Sequence, residues 1–516
     1  MAPEDSPRQP LTPPLTERPV RLDEPVGRWV LLATVLGSSL AMLDSTIVNV
    51  ALKQIGTDLG ADLGDLQWTL SGYSLTLASF ILLAGSLADR FGRRRLFLIG
   101  TGWFTIASVL CGLAPNVELL IAARALQGIG GAMLTPGSLA IISASFAPED
   151  RPRAIGAWSG FGGIAGAIGP FLGGWLVDSW SWRLVFLVNL PLAAVVIAVT
   201  PAHVPESRAP GRGRGLDAPG AGLGTLGLAA LTYASIAAGR EGASRTVVGT
   251  GAVGVLVLVA FVLVERRSAT PLVPPRLFAS RQFTVTNLFT FSVYAALSTV
   301  FFLLVLDLQV VAGYSPLAVG ISMLPVTAVM LALSARFGAI ADRIGPKLQL
   351  TTGPLVAASG LLLTLRIGPG ASYVTGVLPA VTVFGLGLAM FVAPLTAAVL
   401  AATPPEHVGV ASAVNNAVAR SAGLLGIALL PAIAGLSGDD YQKLDAFAAG
   451  YRLATLVDVA LLVVGAILAA ITVGNERPQA ATRPDGGSGA RERTHCYSCP
   501  VDGPRLESIQ PARRAP

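Results

Sequence analysis

The sequence is short of charge. Only 13% of its 516 residues are Asp, Glu, Lys or Arg, against 53% hydrophobic residues and a mean hydropathy of +0.66. A soluble domain carries about a quarter charged residues, so a string of water-soluble domains is excluded despite the length. Cysteine is scarce too: Cys111, Cys496 and Cys499 give no disulfide framework. Cys496 and Cys499 form a C-x-x-C beside His495, but structural zinc takes four ligands and no second pair exists, so no metal is expected. His203, His407 and His495 are scattered and build no catalytic cluster, so no enzyme is expected. No Gly-x-x-x-x-Gly-Lys-Ser/Thr loop is present to cradle a nucleotide phosphate, which argues against an ATP-driven pump. Residues 1–28 are Pro-rich and polar with no apolar core before Trp29, so no signal peptide is expected there. Lysine is rare, three of 36 basic residues, and with abundant Ala and Gly this points to a GC-rich bacterial genome. The net charge of +6 does not imply nucleic-acid binding, because the arginines sit between apolar runs.

Those apolar runs are what the chain has in abundance. Runs of about 20 residues, long enough to cross a bilayer, fall near 29–52, 66–87, 96–114, 118–143, 154–176 and 184–204. Two more fall near 217–239 and 247–264, and six near 284–306, 316–335, 348–366, 374–400, 408–433 and 450–473. The pattern is six, two and six. It predicts an all-α polytopic membrane protein of fourteen spans with both termini on one side. The expected divisions are a disordered cytoplasmic tail over 1–28, a six-helix half over 29–204, two central spans with flanking loops over 205–283, a second six-helix half over 284–473 and a disordered cytoplasmic tail over 474–516. With the N-terminus inside, about 27 Lys and Arg fall in cytoplasmic tails and loops and about seven outside, while Arg124 and Arg420 lie within spans. That bias is the positive-inside pattern and sets the expected orientation.

The loop Gly85-Ser-Leu-Ala-Asp89-Arg90-Phe-Gly92-Arg93-Arg94-Arg95 joins the second and third runs. Its glycines permit close packing and a tight turn, while Asp89 can cap the following helix and pair with a basic group. Anchoring to anionic headgroups would account for the arginines but not for Asp89 or the glycines. Gly338-Ala-Ile-Ala-Asp342-Arg343-Ile-Gly345-Pro-Lys347 repeats the Gly-x-x-x-Asp-Arg-x-Gly pattern after the second run of the last six. Two copies at equivalent places imply two similar halves. The loop resembles the one between spans 2 and 3 of the major facilitator superfamily of transporters. That resemblance implies the major facilitator fold, with two six-helix halves and here two extra central helices. It also makes Gly85, Asp89, Arg90, Gly92, Arg93, Asp342 and Arg343 parts of a cytoplasmic gate.

Leu43-Asp44-Ser45-Thr46-Ile47-Val48-Asn49-Val50-Ala51-Leu52 sets a carboxylate midway along span 1, where an acid must be neutralised, paired or hydrated. The segment resembles the span 1 signature of the fourteen-span drug:proton antiporter branch, with Lys53 where that branch usually has proline. Arg124-Ala-Leu-Gln127-Gly128-Ile-Gly130-Gly131 buries a cation in span 4 that cannot shed its proton and therefore needs a partner; the sequence leaves that partner open. It is similar to the superfamily's span 4 motif, which implies that Asp44 and Arg124 couple transport to protons. Gly162-Gly163-Ile-Ala-Gly166-Ala-Ile-Gly169-Pro170-Phe-Leu-Gly173-Gly174 lets helices approach closely and bends span 5. It resembles the motif associated with antiporters rather than symporters, and assigns a packing role to Gly166, Gly169, Pro170, Gly173 and Gly174. Trp180-Ser-Trp182-Arg183-Leu-Val-Phe186-Leu-Val-Asn189-Leu-Pro191 follows, its tryptophans suited to the outer interface.

Asp307, near the outer end of span 9, either handles cations or protons or lies in outer water. Asp458 sits about eight residues into span 14. Asn415, Asn416 and Arg420 form a polar cluster in span 13, with Arg420 a possible counter-charge for either acid. A cavity of aromatic and aliphatic walls with few polar groups accepts bulky amphipathic molecules by area. The expected function is proton-coupled export of hydrophobic or cationic compounds across a bacterial plasma membrane, driven by the proton gradient with no cofactor, by a monomer. A dedicated exporter of one metabolite or antibiotic uses the same parts. A nutrient symporter and a non-transporting receptor rank below both.

Overall fold

The computed structural model describes residues 19–208, 217–268, 271–403 and 408–474. The C-x-x-C at Cys496 and Cys499, His495 and His407 lie outside the described residues. The first six-helix half is built from α1 (Pro25–Leu59), α2 (Leu63–Phe91), α3 (Arg93–Gly112), α4 (Val117–Ser145), α5 (Arg151–Ser179), the short α6 (Leu184–Leu187) and α7 (Asn189–His203). Two central helices follow, α8 (Ala218–Glu241) and α9 (Arg245–Arg267). The second half comprises α10 (Arg281–Val310), α11 (Pro316–Ile344), α12 (Lys347–Thr364), α13 (Leu378–Ala401), α14 (Val408–Ile433) and α15 (Leu444–Thr472).

Local chemistry sets where the helices begin. Asp62 and Asp65 form a reciprocal capping box at α2. Asn116, Ser244, Ser280 and Ser315 each accept a backbone N–H in the first turn of α4, α9, α10 and α11. Pro316 at the first position of α11 costs nothing, because that N–H would have no helical partner. The expected span over 184–204 runs as one candidate span from Leu184 to His203, with a one-residue turn at Val188 where Pro191 has no N–H for the carbonyl of Leu187. The expected span over 374–400 opens with a π-turn, Tyr373–Val377, just before Pro379 interrupts the α-helical bonding. At the N-terminal end, α1 starts before residue 29, and the tail boundary shifts with it. Val20 exchanges backbone hydrogen bonds with Ser145 and Ala147, at 2.8 and 3.1 Å, in the turn between α4 and α5.

Among the described residues twelve helices are long and apolar enough to cross a membrane, or thirteen if α2, bent by 49° between its Leu63–Ile81 and Leu83–Phe91 parts, is one span. The Gly- and Ala-rich α8 is among them from Pro219 to Glu241. Turns alternate between two faces. One carries the 85–95 loop and the other arginine-rich connections; the opposite face carries residues 60–62, 113–116, 180–183, 242–244, 311–315 and 434–443.

The halves meet near the opposite face. Lys53 Nζ donates to the Gln309 carbonyl at 2.8 Å, and Gln309 Nε2 donates to the Val50 carbonyl at 2.9 Å. Gln67 Nε2 donates to the Ile427 carbonyl at 2.6 Å, Tyr441 Oη to the Ala61 carbonyl at 2.8 Å, and Leu317 N to Asp178 Oδ2 at 3.0 Å. Arg240 of α8 reaches Asp62 and Asp65 at the same level. Toward the arginine-rich face, Gly156, Gly160, Gly162, Gly163 and Gly166 of α5 have no neighbouring helix where a methyl would sit. Among the described residues the opposite face is shut, and no hydrogen bond joins the two halves at the arginine-rich face.

Candidate functional site

A polar network occupies the core of the first half. Asp44 of α1 is fully buried and Arg124 of α4 is 1% exposed. Arg124 Nη1 donates to Asp44 Oδ2 at 2.5 Å and to Gln127 Oε1 at 2.5 Å, and Arg124 Nε donates to the Thr69 carbonyl at 3.1 Å. Gln127 Nε2 donates to Asp44 Oδ1 at 2.8 Å and Ser108 Oγ at 2.8 Å; Asn189 Nδ2 of α7 donates to Asp44 Oδ1 at 3.2 Å. The guanidinium lies 4.3 Å from the Tyr73 ring centroid and 5.7 Å from that of Phe186. Such a pair is tolerable in an apolar interior because the charges oppose and their remaining hydrogen-bonding positions are filled. Donors from α4 and α7 thus converge on one carboxylate of α1, with Thr69 of α2 and Ser108 of α3 holding those donors in turn.

The partner of Arg124, open in the sequence, is Asp44. Gln127, Asn189, Ser108 and Tyr73 were not assigned in advance. Gln127 carried a usable signal, three residues after Arg124 and so on the same helix face. Asn189 and Ser108 carried none, since only the fold brings their helices to Asp44.

The 85–95 loop follows its expectation in the pairing of Asp89 with a basic group but not in the cap. Asp89 does not cap α3. It pairs with Arg93, whose Nη2 and Nε lie 2.8 and 3.1 Å from Asp89 Oδ1. The cap comes from Glu206, after α7: its carboxylate accepts the N–H groups of Arg94 and Arg95 at 3.1 and 3.2 Å, where the α3 dipole favours an anion. Gly92 has φ +113° and the Glu206 carboxylate fills the space a Cβ would need, so only glycine fits there. Arg90 lies over the Phe91 ring at 5.4 Å. Gly85 has no close neighbour beyond its helix. In the second copy, Asp342 and Arg343 are exposed and form no ion pair among the described residues. Gly345 has φ +89°.

Along α5 the glycines divide by depth. Gly169 and Gly173 press on Thr46 and Ile47 of α1, and Gly174 on Pro316 and Leu317 of α11. Gly320 of α11 in turn packs on the Pro170 carbonyl. Gly166 makes no such contact. Trp180 is 62% exposed, whereas Trp182 is fully buried and donates Nε1 to Asp58 Oδ2 at 2.8 Å, so Trp182 belongs to the core rather than to an interface.

In the second half Asn415 Nδ2 donates to Asn287 Oδ1 at 3.1 Å and Thr290 Oγ1 at 2.8 Å of α10. Asn416 bonds only the Ser412 carbonyl of its own helix. Arg420 Nε is buried without a hydrogen-bond partner, and no ion pair joins Arg420 to an acid among the described residues. Asp307 and Asp458 are 1% and 2% exposed, which removes Asp307 from outer water. Gly423 and Gly426 of α14 pack on Ser298 and Ala295, setting Arg420 near the level of Tyr294. Thirteen helical residues, about 20 Å at 1.5 Å each, separate that level from Asp307.

The sequence pattern of the Major Facilitator Superfamily matches residues 34–427, spanning both halves and the network between α1 and α4. The chain belongs to this superfamily. It is 37% identical over 409 residues to the multidrug resistance protein Stp of Mycobacterium tuberculosis (strain CDC 1551 / Oshkosh), covering 78% of this chain and 75% of that protein. It is 34% identical over 475 residues to the puromycin resistance protein pur8 of Streptomyces alboniger, covering 89% and 93%. Among solved structures, a bacterial homologue of the human lysosomal transporter Spinster, inward-facing and unoccupied, superposes with a TM-score of 0.64 at 18% identity over 87% of this chain and 97% of that one. That likeness concerns the fold alone. As a member of the superfamily the chain is a multi-pass membrane transporter.

Proposed function

We propose that this facilitator is a fourteen-span proton-coupled antiporter that exports hydrophobic or cationic drugs from a bacterial cell by alternating access. Relatives named for multidrug and puromycin resistance, similar over most of their length, support efflux. The observation that carries proton coupling is the carboxylate of Asp44 gathered by donors from α4 and α7, with Arg124 as its cation. A proton on Asp44 cancels the charge that holds Arg124. The guanidinium then keeps the Gln127 and Thr69 oxygens and the Tyr73 face, while α1 loses its strongest tie to α4. Because α1 also packs on α5 at Gly169 and Gly173 and on α10 at Lys53, that loosening reaches the seam between the halves.

The arginine-rich face is the cytoplasmic one in this reading, by the positive-inside bias, and both termini lie there. The shut opposite face makes this the inward-facing state. The fourteenth span is α12, 18 residues or about 27 Å, with Lys347 and Gln349 lowering its hydropathy at one end. Asp89, Arg90, Arg93 and the glycines around them, with Asp342 and Arg343, act as the cytoplasmic gate, and Glu206 belongs with them. The protein works as a monomer on amphipathic small molecules. A second reading, a dedicated exporter of one antibiotic, is favoured by the 93% coverage of the puromycin resistance protein.

The test is an efflux and susceptibility panel in a pump-deficient bacterial host, with and without a protonophore. Proton-driven export predicts lowered dye and antibiotic accumulation that the protonophore reverses, and loss of export in Asp44→Asn when activity is normalised to the amount of folded protein. Export indifferent to the protonophore would remove the coupling; protection against one compound only would select the dedicated exporter.

A further inference from the structure

Two acids in the second half stand apart from the Asp44 network. Asp307 of α10 and Asp458 of α15 are 1% and 2% exposed. Asp307 Oδ2 and Asp458 Oδ1 are each buried with no hydrogen-bond partner. Tyr451 of α15, itself 5% exposed, lies within electrostatic reach of both. Its hydroxyl donates to Thr364 Oγ1 at 2.8 Å, and Thr364 Oγ1 donates on to the Leu361 carbonyl at 2.7 Å. Tyr451, Thr455 and Asp458 follow each other at four and three residues and share one face of α15. The Ser292 Oγ bond to the Leu461 carbonyl at 2.7 Å sets Asp458 level with Ala295, about 18 Å along α10 from Asp307, so Asp307 and Tyr451 lie near the shut face and Asp458 lies deeper, about halfway along α15.

No cation serves either acid. On α1, Lys53 spends its ammonium on the Gln309 carbonyl, 2.8 Å away. On α14, Arg420 sits at the level of Tyr294, far along α10 from Asp307; it shares the depth of Asp458 but forms no ion pair with it among the described residues. Arg452 of α15 and Arg366 beyond α12 are both exposed. Asp445 at the start of α15 is an acid and adds no positive charge, α13 carries no charged residue, and Arg281 and Lys347 begin α10 and α12 at the other face. Among the described residues neither Asp307 nor Asp458 forms an ion pair. A carboxylate enclosed this way has lost its water and gained neither a counter-charge nor donors. A proton removes the charge, and turns one unpartnered oxygen into a donor.

We propose that the C-terminal half holds a second proton-binding set, Asp307 beside Tyr451 and Asp458 deeper along α15, that is filled while the opposite face is shut. Its contribution to transport rests on the antiport reading above; its occupancy does not. The two half-sites are chemically unlike. Asp44 is held as a carboxylate by Arg124, whereas Asp307 and Asp458 are held as neutral acids by the lack of any cation.

The experiment is infrared spectroscopy of the full chain in lipid vesicles at neutral pH, following the carbonyl stretch of protonated carboxylic acids and its shift in heavy water. Wild type shows this band, Asp307→Asn and Asp458→Asn each remove part of it, and Asp44→Asn leaves it intact. Asparagine matches the shape and neutrality of the protonated acid, so both variants keep the wild-type melting temperature. If either variant fails to fold, alkaline titration of wild type is the second measurement, and the band must fade there. A wild type without the band at neutral pH, or a band unchanged in both variants, overturns the proposal. Neither outcome touches antiport itself, which the efflux panel decides separately.

Discussion

Asp44→Asn offers the sharpest test of how the buried network is held together. The substitution preserves shape and removes the charge. The amide oxygen still accepts from Gln127 Nε2 and Asn189 Nδ2, but the amide nitrogen then faces Arg124 Nη1, which lies 2.5 Å from the oxygen it replaces. Two donors oppose each other and a guanidinium only 1% exposed loses its anion. Removing one partner of a buried pair costs about 3–5 kcal/mol. Arg124 keeps the Thr69 and Gln127 oxygens and the Tyr73 face, the last worth about 1–2 kcal/mol. A loss of about 3 kcal/mol is therefore expected, read as a lowered melting temperature in detergent. Arg124→Leu alone strands the carboxylate instead and should cost as much. The double variant strands no charge and should be more stable than the sum of the two losses by about 3 kcal/mol, a coupling of the size seen between contacting groups. Efflux should not return, because the carboxylate is gone. Losses that simply add would refute mutual compensation between Asp44 and Arg124.

Glu206→Ala removes the acceptor for the Arg94 and Arg95 N–H groups and should destabilise by about 1–2 kcal/mol, with Glu206→Gln recovering part of it; thermal melts in detergent check this, and an unchanged melt removes Glu206 from the cap. Gly174→Leu and Gly320→Leu each drive a side chain into a facing carbonyl, of Pro316 and of Pro170, and should hold the opposite face open. Cysteines introduced at Leu172 and Ser322 should then label faster from outside the cell than in the unsubstituted background, and equal labelling would show that this contact does not close the face.

Much of the architecture could be read from the apolar runs alone. The run at 408–433 coincides with α14 and most others agree within a few residues, because hydropathy and the absence of buried backbone loops leave little freedom in a membrane; α1 and α11 run on to Leu59 and Ile344, past runs ending at 52 and 335, and α15 starts at Leu444, ahead of a run starting at 450. The turn at Val188 and the π-turn before Leu378, both inside spans that were expected, were not foreseen although Pro191 and Pro379 were in plain view: transmembrane helices often carry proline without such a change, so the residue alone does not decide. Asp44 and Arg124 stood out singly, as charges in apolar runs. Their pairing, and the recruitment of Asn189 and Ser108, depend on how α1, α3, α4 and α7 pack, which no local pattern encodes. Glu206 was invisible for a related reason, lying more than 100 residues from the N–H groups it caps. Trp182 shows the opposite failure. Its neighbour Trp180 has the exposure expected of an interface residue, but burial assigns Trp182 to Asp58.

The seam at the opposite face closes largely on main-chain oxygens. Lys53, Gln309, Gln67 and Tyr441 all end on carbonyls, and no ion pair bridges the two halves there among the described residues. A carbonyl belongs to every residue type, so sequence drift on the accepting strand of such a lock leaves the lock intact. Nor does ionic strength dissolve it, since screening acts on pairs of charges. The balance between the two facings is thus insulated from the salt bathing that face, and only the donor side chains are left as places where evolution, or an engineer, can retune it.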